Sequence, residues 1–110
     1  RPCAGPPLFF LDDMIVGYYI ALLASDECQI LNIAIKKCQQ NKGLGNYLIN
    51  HVKDLSKSLY VASIFLEVRV SNIKAIKLYE KNGFNELGVR NNYYKTLNGT
   101  ENGILMGLEL

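Results

Sequence analysis

Three features of the chain carry residue types that can do chemistry: the run Gln40-Asn41-Lys42-Gly43-Leu44-Gly45, the carboxylate of Glu67 and the phenol of Tyr79. The first lies between an apolar run ending near Ile35 and an amphipathic run beginning at Leu44. A glycine-bearing turn there sets unpaired backbone N–H groups and the positive end of a helix dipole at one point, which suits a diphosphate. The run lacks the Lys-Ser/Thr ending of a P-loop and the third glycine of a dinucleotide fingerprint. A turn that needs only glycine geometry is the plain alternative. Glu67 is an ionisable group in a nearly continuous apolar run, Val61 to Val68, where burial is costly unless the group is paired or used. Pairing with Arg69 or a lysine at the end of the sheet is its alternative. Tyr79 continues a stripe with Ile73 and Ile76 that serves equally well as core.

Other reactive side chains read as structural. His51, the single histidine, falls on the apolar edge of a helix and is expected to be packed there. Cys3, Cys28 and Cys38 are odd in number and show no Cys/His ligand spacing, so neither a disulfide framework nor a metal site is expected, and a reducing cytoplasm fits. Lys36, Lys37 and Lys42 can attract phosphates but equally suit a solvated surface. Asn98-Gly99-Thr100 matches a glycosylation sequon and reads better as a turn.

The elements that must position these groups follow from periodicity. Leu8 to Leu11 and Met14 to Leu23 read as strands around a turn at Asp12-Asp13, and Gln29 to Ile35 as a third strand after a turn at Ala24 to Glu27. Leu44, Tyr47, Leu48, Val52, Leu55 and Leu59 recur at helical spacing, giving a helix of about four turns. Val61 to Val68 has the apolar continuity of a strand covered on both faces, so the third strand, the helix and this strand form one parallel βαβ unit. Ser71 and Asn72 can cap a second helix, of about ten residues, that stops at Gly83. Phe84 to Val89 and Ile104 to Leu110 read as closing strands joined by a polar excursion through Asn91-Asn92-Tyr93-Tyr94 and Asn98-Gly99.

At 110 residues and 49% hydrophobic content the chain supports one α/β domain, placed at 8–110 behind an irregular stretch at 1–7. A net charge of +2 is too small to argue for nucleic acid. No apolar stretch reaches the roughly 20 residues of a spanning helix, and Arg1 to Pro7 lacks the order of a signal peptide. No membrane is expected as a partner.

Together, Gln40-x-x-Gly43-x-Gly45 between strand and helix, Leu66-Glu67-Val68-Arg69, Ser71-Asn72, Ala75, Leu78-Tyr79 and Gly83-Phe84 resemble the GNAT family, the Gcn5-related N-acetyltransferases. Asn32 to Ile35, Leu66 to Asn72, Ala75 to Glu80, Gly83 to Glu86 and Arg90 to Tyr94 resemble one branch more closely, the bacterial ribosomal-protein alanine N-acetyltransferases of the RimI type. The resemblance implies a mixed, mostly antiparallel sheet whose parallel βαβ unit binds acetyl-coenzyme A. It also implies transfer of acetyl to the α-amino group of an alanine-starting ribosomal protein of the small subunit. Carried over to this chain, backbone N–H groups of Asn41, Lys42, Gly43, Leu44, Gly45 and Asn46 would hold the pyrophosphate. The main chain of Ile33, Ala34 and Ile35 would hold the pantetheine arm, and Asn72 would touch the cofactor.

The resemblance assigns Glu67 as general base and Tyr79 as the acid that protonates the departing thiolate, with Tyr93 and Tyr94 in a loop near the peptide. No metal is implied. Lys42 stands where the branch often has Arg, which keeps the charge and loses a bidentate fork. The family fold normally begins with a strand and two helices forming one wall of the peptide channel, and Arg1 to Pro7 cannot build it. The rival readings are therefore a GNAT acting on another amine, and a coenzyme A-binding fragment without acceptor specificity.

Overall fold

Runs rich in Ile, Val, Tyr and Leu give long strands, and the computed structural model arranges them as one mixed sheet carrying two helices on the same face. It describes residues 7–11, 14–40 and 43–110. The strands are β1 (Leu8–Leu11), β2 (Met14–Ala24), β3 (Glu27–Ile35), β4 (Ser63–Arg69), β5 (Asn85–Thr96) and β6 (Gly99–Glu109). Helix α1 (Leu44–Ser58) lies between β3 and β4, and α2 (Ile73–Lys81) between β4 and β5. The sheet order is β1-β2-β3-β4-β6-β5, with β3 and β4 parallel and the other neighbours antiparallel. The expected parallel βαβ unit is therefore present. The turn expected at Asp12-Asp13 lies outside the described residues.

The core gathers on the helical face. Ile64, Leu66 and Val68 of β4 meet Ile104 and Met106 of β6, Ile30 of β3, and Ile49 and Val52 of α1. Here α1 differs from the expected stripe. Leu48 and Val52 are buried as the spacing predicts, but Ile49 and Ser56 complete the buried face, while Tyr47, Leu55 and Leu59 are exposed. A helical stripe is wide enough that either flank can face inward, and the sheet selects the flank with Ile49. His51 sits at the rim, with Nδ1 2.8 Å from the Tyr19 hydroxyl and its ring edge-on to Phe9, the packed role expected of it.

Two expectations need correction. First, β4 is not covered on both faces. Ile64, Leu66 and Val68 are buried, whereas Ser63, Phe65 and Glu67 between them are only partly so. The apolar continuity has a different cause: Phe65 packs on the opposite face, where a Cβ on Gly107 would come within 3.1 Å of its ring. Second, the polar excursion after Val89 is strand. β5 runs unbroken to Thr96, and Thr96 pairs with Gly99 around a two-residue turn that leaves Leu97 fully exposed. An edge strand outside the core has no apolar alternation to announce it. The register slips between Arg90 and Tyr94, and there Asn92 adopts a positive φ of 55°, with its N–H donating to Asn102 Oδ1.

Candidate active site

β3 and β4 run side by side only from Glu27–Ser63 to Ile30–Leu66. Beyond that point β3 stays with β2 as far as Ile35, and β4 stays with β6 as far as Arg69. The two parallel strands therefore part, leaving the Leu31–Ile35 edge of β3 without a neighbouring strand. The opening lies beside a cavity of about 710 Å³ on the helical face.

Each wall of that cavity has a local cause. Ile33 and Ile35 come from the unpaired part of β3, and Gln40 folds back so that its Nε2 donates to Ile35 O at 3.2 Å. Gly43 takes the left-handed conformation, φ 82°, as N-cap of α1, with no side chain capping the helix. The first-turn N–H groups are thus left for a ligand. Asn46 continues the wall from α1. Asn72 caps α2, its Oδ1 accepting from Ala75 N at 3.3 Å. Lys74, Lys77 and Lys81, spaced so that one side of α2 carries all three, close the far wall. None of these lysines forms a salt bridge with a described residue.

Gly45 has a different reason to be glycine. A Cβ there would stand 2.8 Å from Leu78 Cδ2, so Gly45 allows α1 to approach α2. Tyr79 also lines the cavity, half-buried against Phe84 with ring centroids 5.8 Å apart. Burial pushes its phenol above the ordinary value of 10.0, so the hydroxyl keeps its proton. Packed against the core and open to the cavity, Tyr79 serves as both a core residue and a lining one.

Glu67 stands elsewhere. Side chains alternate along a strand, and Leu66 and Val68 face the helices, so Glu67 faces the opposite side of the sheet. Its Oε2 lies 2.8 Å from Arg90 Nε, not beside Arg69 or a lysine as the alternative reading had it. Arg69 pairs with Glu101 at 3.3 Å instead, and its guanidinium sits 4.5 Å from the centre of the Tyr94 ring. Glu101 also accepts from Ser71 N, and the hydrogen bonds from Ser71, with Arg69 adding to them, hold its carboxyl below the ordinary value. Tyr93 and Tyr94 join the same cluster edge-to-face, 4.9 Å apart. Burial and, next, the charge of Glu67 push the Tyr94 phenol up. The sheet thus separates Glu67 from Tyr79, and the parted strands lie between them.

Residues 2–84 match the profile of the acetyltransferase (GNAT) family, a span that takes in every wall of the cavity. The chain belongs to the GNAT acetyltransferase family. Among GNAT relatives, it is 41% identical over 99 residues to the ribosomal protein bS18-alanine N-acetyltransferase of Salmonella typhimurium, covering 90% of this chain and 67% of that protein. The crystal structure of the ribosomal-protein-S18-alanine N-acetyltransferase from Escherichia coli superposes with a TM-score of 0.87 at 40% identity, over 91% of this chain and 64% of that one. A GNAT acetyltransferase from Elizabethkingia anophelis with acetyl-CoA bound gives a TM-score of 0.85 at 26% identity, over 94% and 74%. The chain spans about two thirds of the length of its bS18-modifying relatives.

Of the GNAT residues expected from the sequence, Ile33, Ile35, Gly43, Gly45, Asn46, Asn72 and Tyr79 meet at one cavity. Ala34 and Leu44 adjoin it in sequence without lining it, and Asn41 and Lys42 lie outside the described residues. Glu67, Tyr93 and Tyr94 form the second group, across the sheet. Lys36 and Lys37 do not line the cavity; the lysines of α2, which no sequence motif singled out, do, and their helical spacing could have found them. Arg90 stood in a run that resembles the branch, but nothing in the sequence pointed to its pairing with Glu67, which strand register sets. No group of three or more potential metal ligands occurs among the described residues, and no described helix is long and apolar enough to cross a membrane.

Proposed function

We propose that this chain moves the acetyl group of acetyl-coenzyme A to the α-amino group of an N-terminal alanine on a small-subunit ribosomal protein in the cytoplasm. The observation that carries this reading is the opening between β3 and β4, which lies between the cavity with Tyr79 and the carboxylate of Glu67. The names of the bS18-modifying relatives supply the acceptor.

The walls fit coenzyme A. Uncapped N–H groups at Gly43 to Asn46 suit the diphosphate, Lys74, Lys77 and Lys81 suit further phosphate, and Ile33, Ile35 and Leu78 suit the uncharged arm. When bound, acetyl-coenzyme A supplies an activated thioester. Glu67 attracts the acceptor ammonium, whose pKa is roughly 8, and takes one proton from it, directly or through water, so that the neutral amine attacks. A β3 main-chain N–H between Ile33 and Ile35 faces the negative charge that develops on the acyl oxygen. As the N–C bond forms and the C–S bond breaks, Tyr79 gives its proton to the departing sulfur, and the second proton leaving the nitrogen passes through solvent to restore the phenol. Tyr93 and Tyr94, beside Glu67, contact the acceptor.

The test is incubation of the protein with acetyl-coenzyme A and peptides starting with Ala, Ser, Met or Gly, followed by mass spectrometry. Acetylation of the alanine peptide in preference to the others is expected. Modification confined to a small-molecule amine would sink the ribosomal reading, and tight coenzyme A binding with no transfer would leave a cofactor-binding protein.

A further inference from the structure

Two arginine–carboxylate pairs share the face that carries Glu67, and they are built differently. Arg69 is locked. It bonds Glu101 Oε2 at 3.3 Å and Lys95 O at 3.4 Å, it covers the Tyr94 ring, and its partner Glu101 is held a second time by Ser71 N. Arg90 is loose. Its Nε stands 2.8 Å from Glu67 Oε2, but the N–H does not point at the oxygen, and Oε2 stays buried without an aligned hydrogen-bond donor among the described residues. The Arg90 side chain is 59% exposed where that of Glu67 is 17% exposed. Its guanidinium already lies 4.9 Å from the centre of the Tyr93 ring.

A buried carboxylate oxygen needs donors, and charge alone does not replace them. An alkylammonium brings three donors on a compact head, which suits Oε2 better than a misaligned guanidinium. Arg90 can leave at low cost, because its side chain is largely exposed and its guanidinium already lies near the face of Tyr93. From these observations, and resting on the acyl-transfer reading above, we propose that Arg90 is a positioning residue that seats its guanidinium on Glu67 as a stand-in for the acceptor ammonium. The α-ammonium displaces it onto Tyr93. Arg90 seated on Glu67 thereby scales apparent acceptor affinity down to the fraction of molecules in which Glu67 is uncovered, and it selects for acceptors whose cation can make the exchange.

Steady-state kinetics with an alanine-starting peptide test this. Arg90→Met is expected to lower the acceptor KM about fivefold and raise kcat/KM, with the KM for acetyl-coenzyme A unmoved. Added methylguanidinium should compete with the peptide in Arg90→Met and bring KM back towards the parent value. Arg90→Lys, which offers Glu67 a tethered alkylammonium, should hold the acceptor KM at or above the parent value. A raised acceptor KM in Arg90→Met, or a lowered kcat at unchanged KM, would mean that Arg90 assists the acceptor or Glu67 and would overturn the exchange. A second readout needs no turnover: the Arg90 side-chain 15Nε resonance of the parent protein should shift saturably on titration with alaninamide and fail to do so in Glu67→Gln. A response there in a protein that acetylates no peptide would refute the acetyl-transfer reading and keep the exchange; no response in an active protein would do the reverse.

Discussion

Asn82 Nδ2 donates to Asn46 Oδ1 across 2.8 Å, joining the end of α2 to the first turn of α1, two helices that both line the cavity. The same amide donates to Leu78 O at 2.8 Å, and Lys53 Nζ donates to Asn82 O at 2.6 Å. The tie sets the distance between the uncapped start of α1 and the lysine side of α2. Asn82→Ala should therefore cost about 1 kcal/mol of stability and weaken coenzyme A binding several-fold. Asn82→Asp should do more, because it turns a carboxylate toward the carbonyl of Leu78. Thermal unfolding and calorimetric titration with coenzyme A check both effects; equal affinity in all three proteins would show that the tie does not shape the cavity.

The two glycines of the turn should fail in different ways. Gly43 has open space around its Cβ position but a φ of 82°, so Gly43→Ala carries strain of about 1–2 kcal/mol with no clash, and Gly43→Val loses cofactor affinity as well. Gly45→Ala meets Leu78, which must turn aside, and Leu78 lines the cavity. Its effect should fall on affinity, and a second change, Leu78→Val, should recover most of it. Cofactor titrations of the single and double variants separate strain from contact.

Glu67→Gln and Tyr79→Phe should each lower kcat by about a hundredfold or more while the affinity for coenzyme A holds. Burial raises the Tyr79 phenol above 10.0, so its proton is present throughout neutral and mildly alkaline pH and is lost only as pH climbs past that raised value. The alkaline fall of kcat that Tyr79 causes is accordingly expected above pH 10.0. Single-turnover rates across pH measure this, and unchanged turnover in both variants would remove the assigned acid and base.

Lys74, Lys77 and Lys81 should contribute through charge. Replacing all three by Met is expected to weaken acetyl-coenzyme A binding about tenfold at low salt and less at high salt, since exposed pairs contribute little singly and are screened. The loss should shrink for the analogue lacking the ribose 3′-phosphate. Calorimetry at two ionic strengths with both compounds tests the assignment, and a salt-independent loss would point to packing instead.

Much of this protein was legible from local pattern. Runs rich in Ile, Val, Leu and Tyr between turns marked β2 and β3, the spacing of Leu48 and Val52 marked α1, and Asn72 and Gly83 marked the two ends of α2, because backbone geometry repeats within a few residues and side-chain caps act within one turn. The residues of the cavity were legible for the same reason: the strand end, the glycine turn and the helix start are neighbours in sequence. Tertiary structure decided what depends on residues far apart in the chain. Whether Ile49 or Tyr47 faced inward depended on the sheet under α1, and the polar length of β5 became strand only through its pairing with β6. The same holds for Glu67. Its position in the chain was plain, but its face and its partner were set by side-chain alternation and strand register, which brought Arg90 to it and left Arg69 for Glu101.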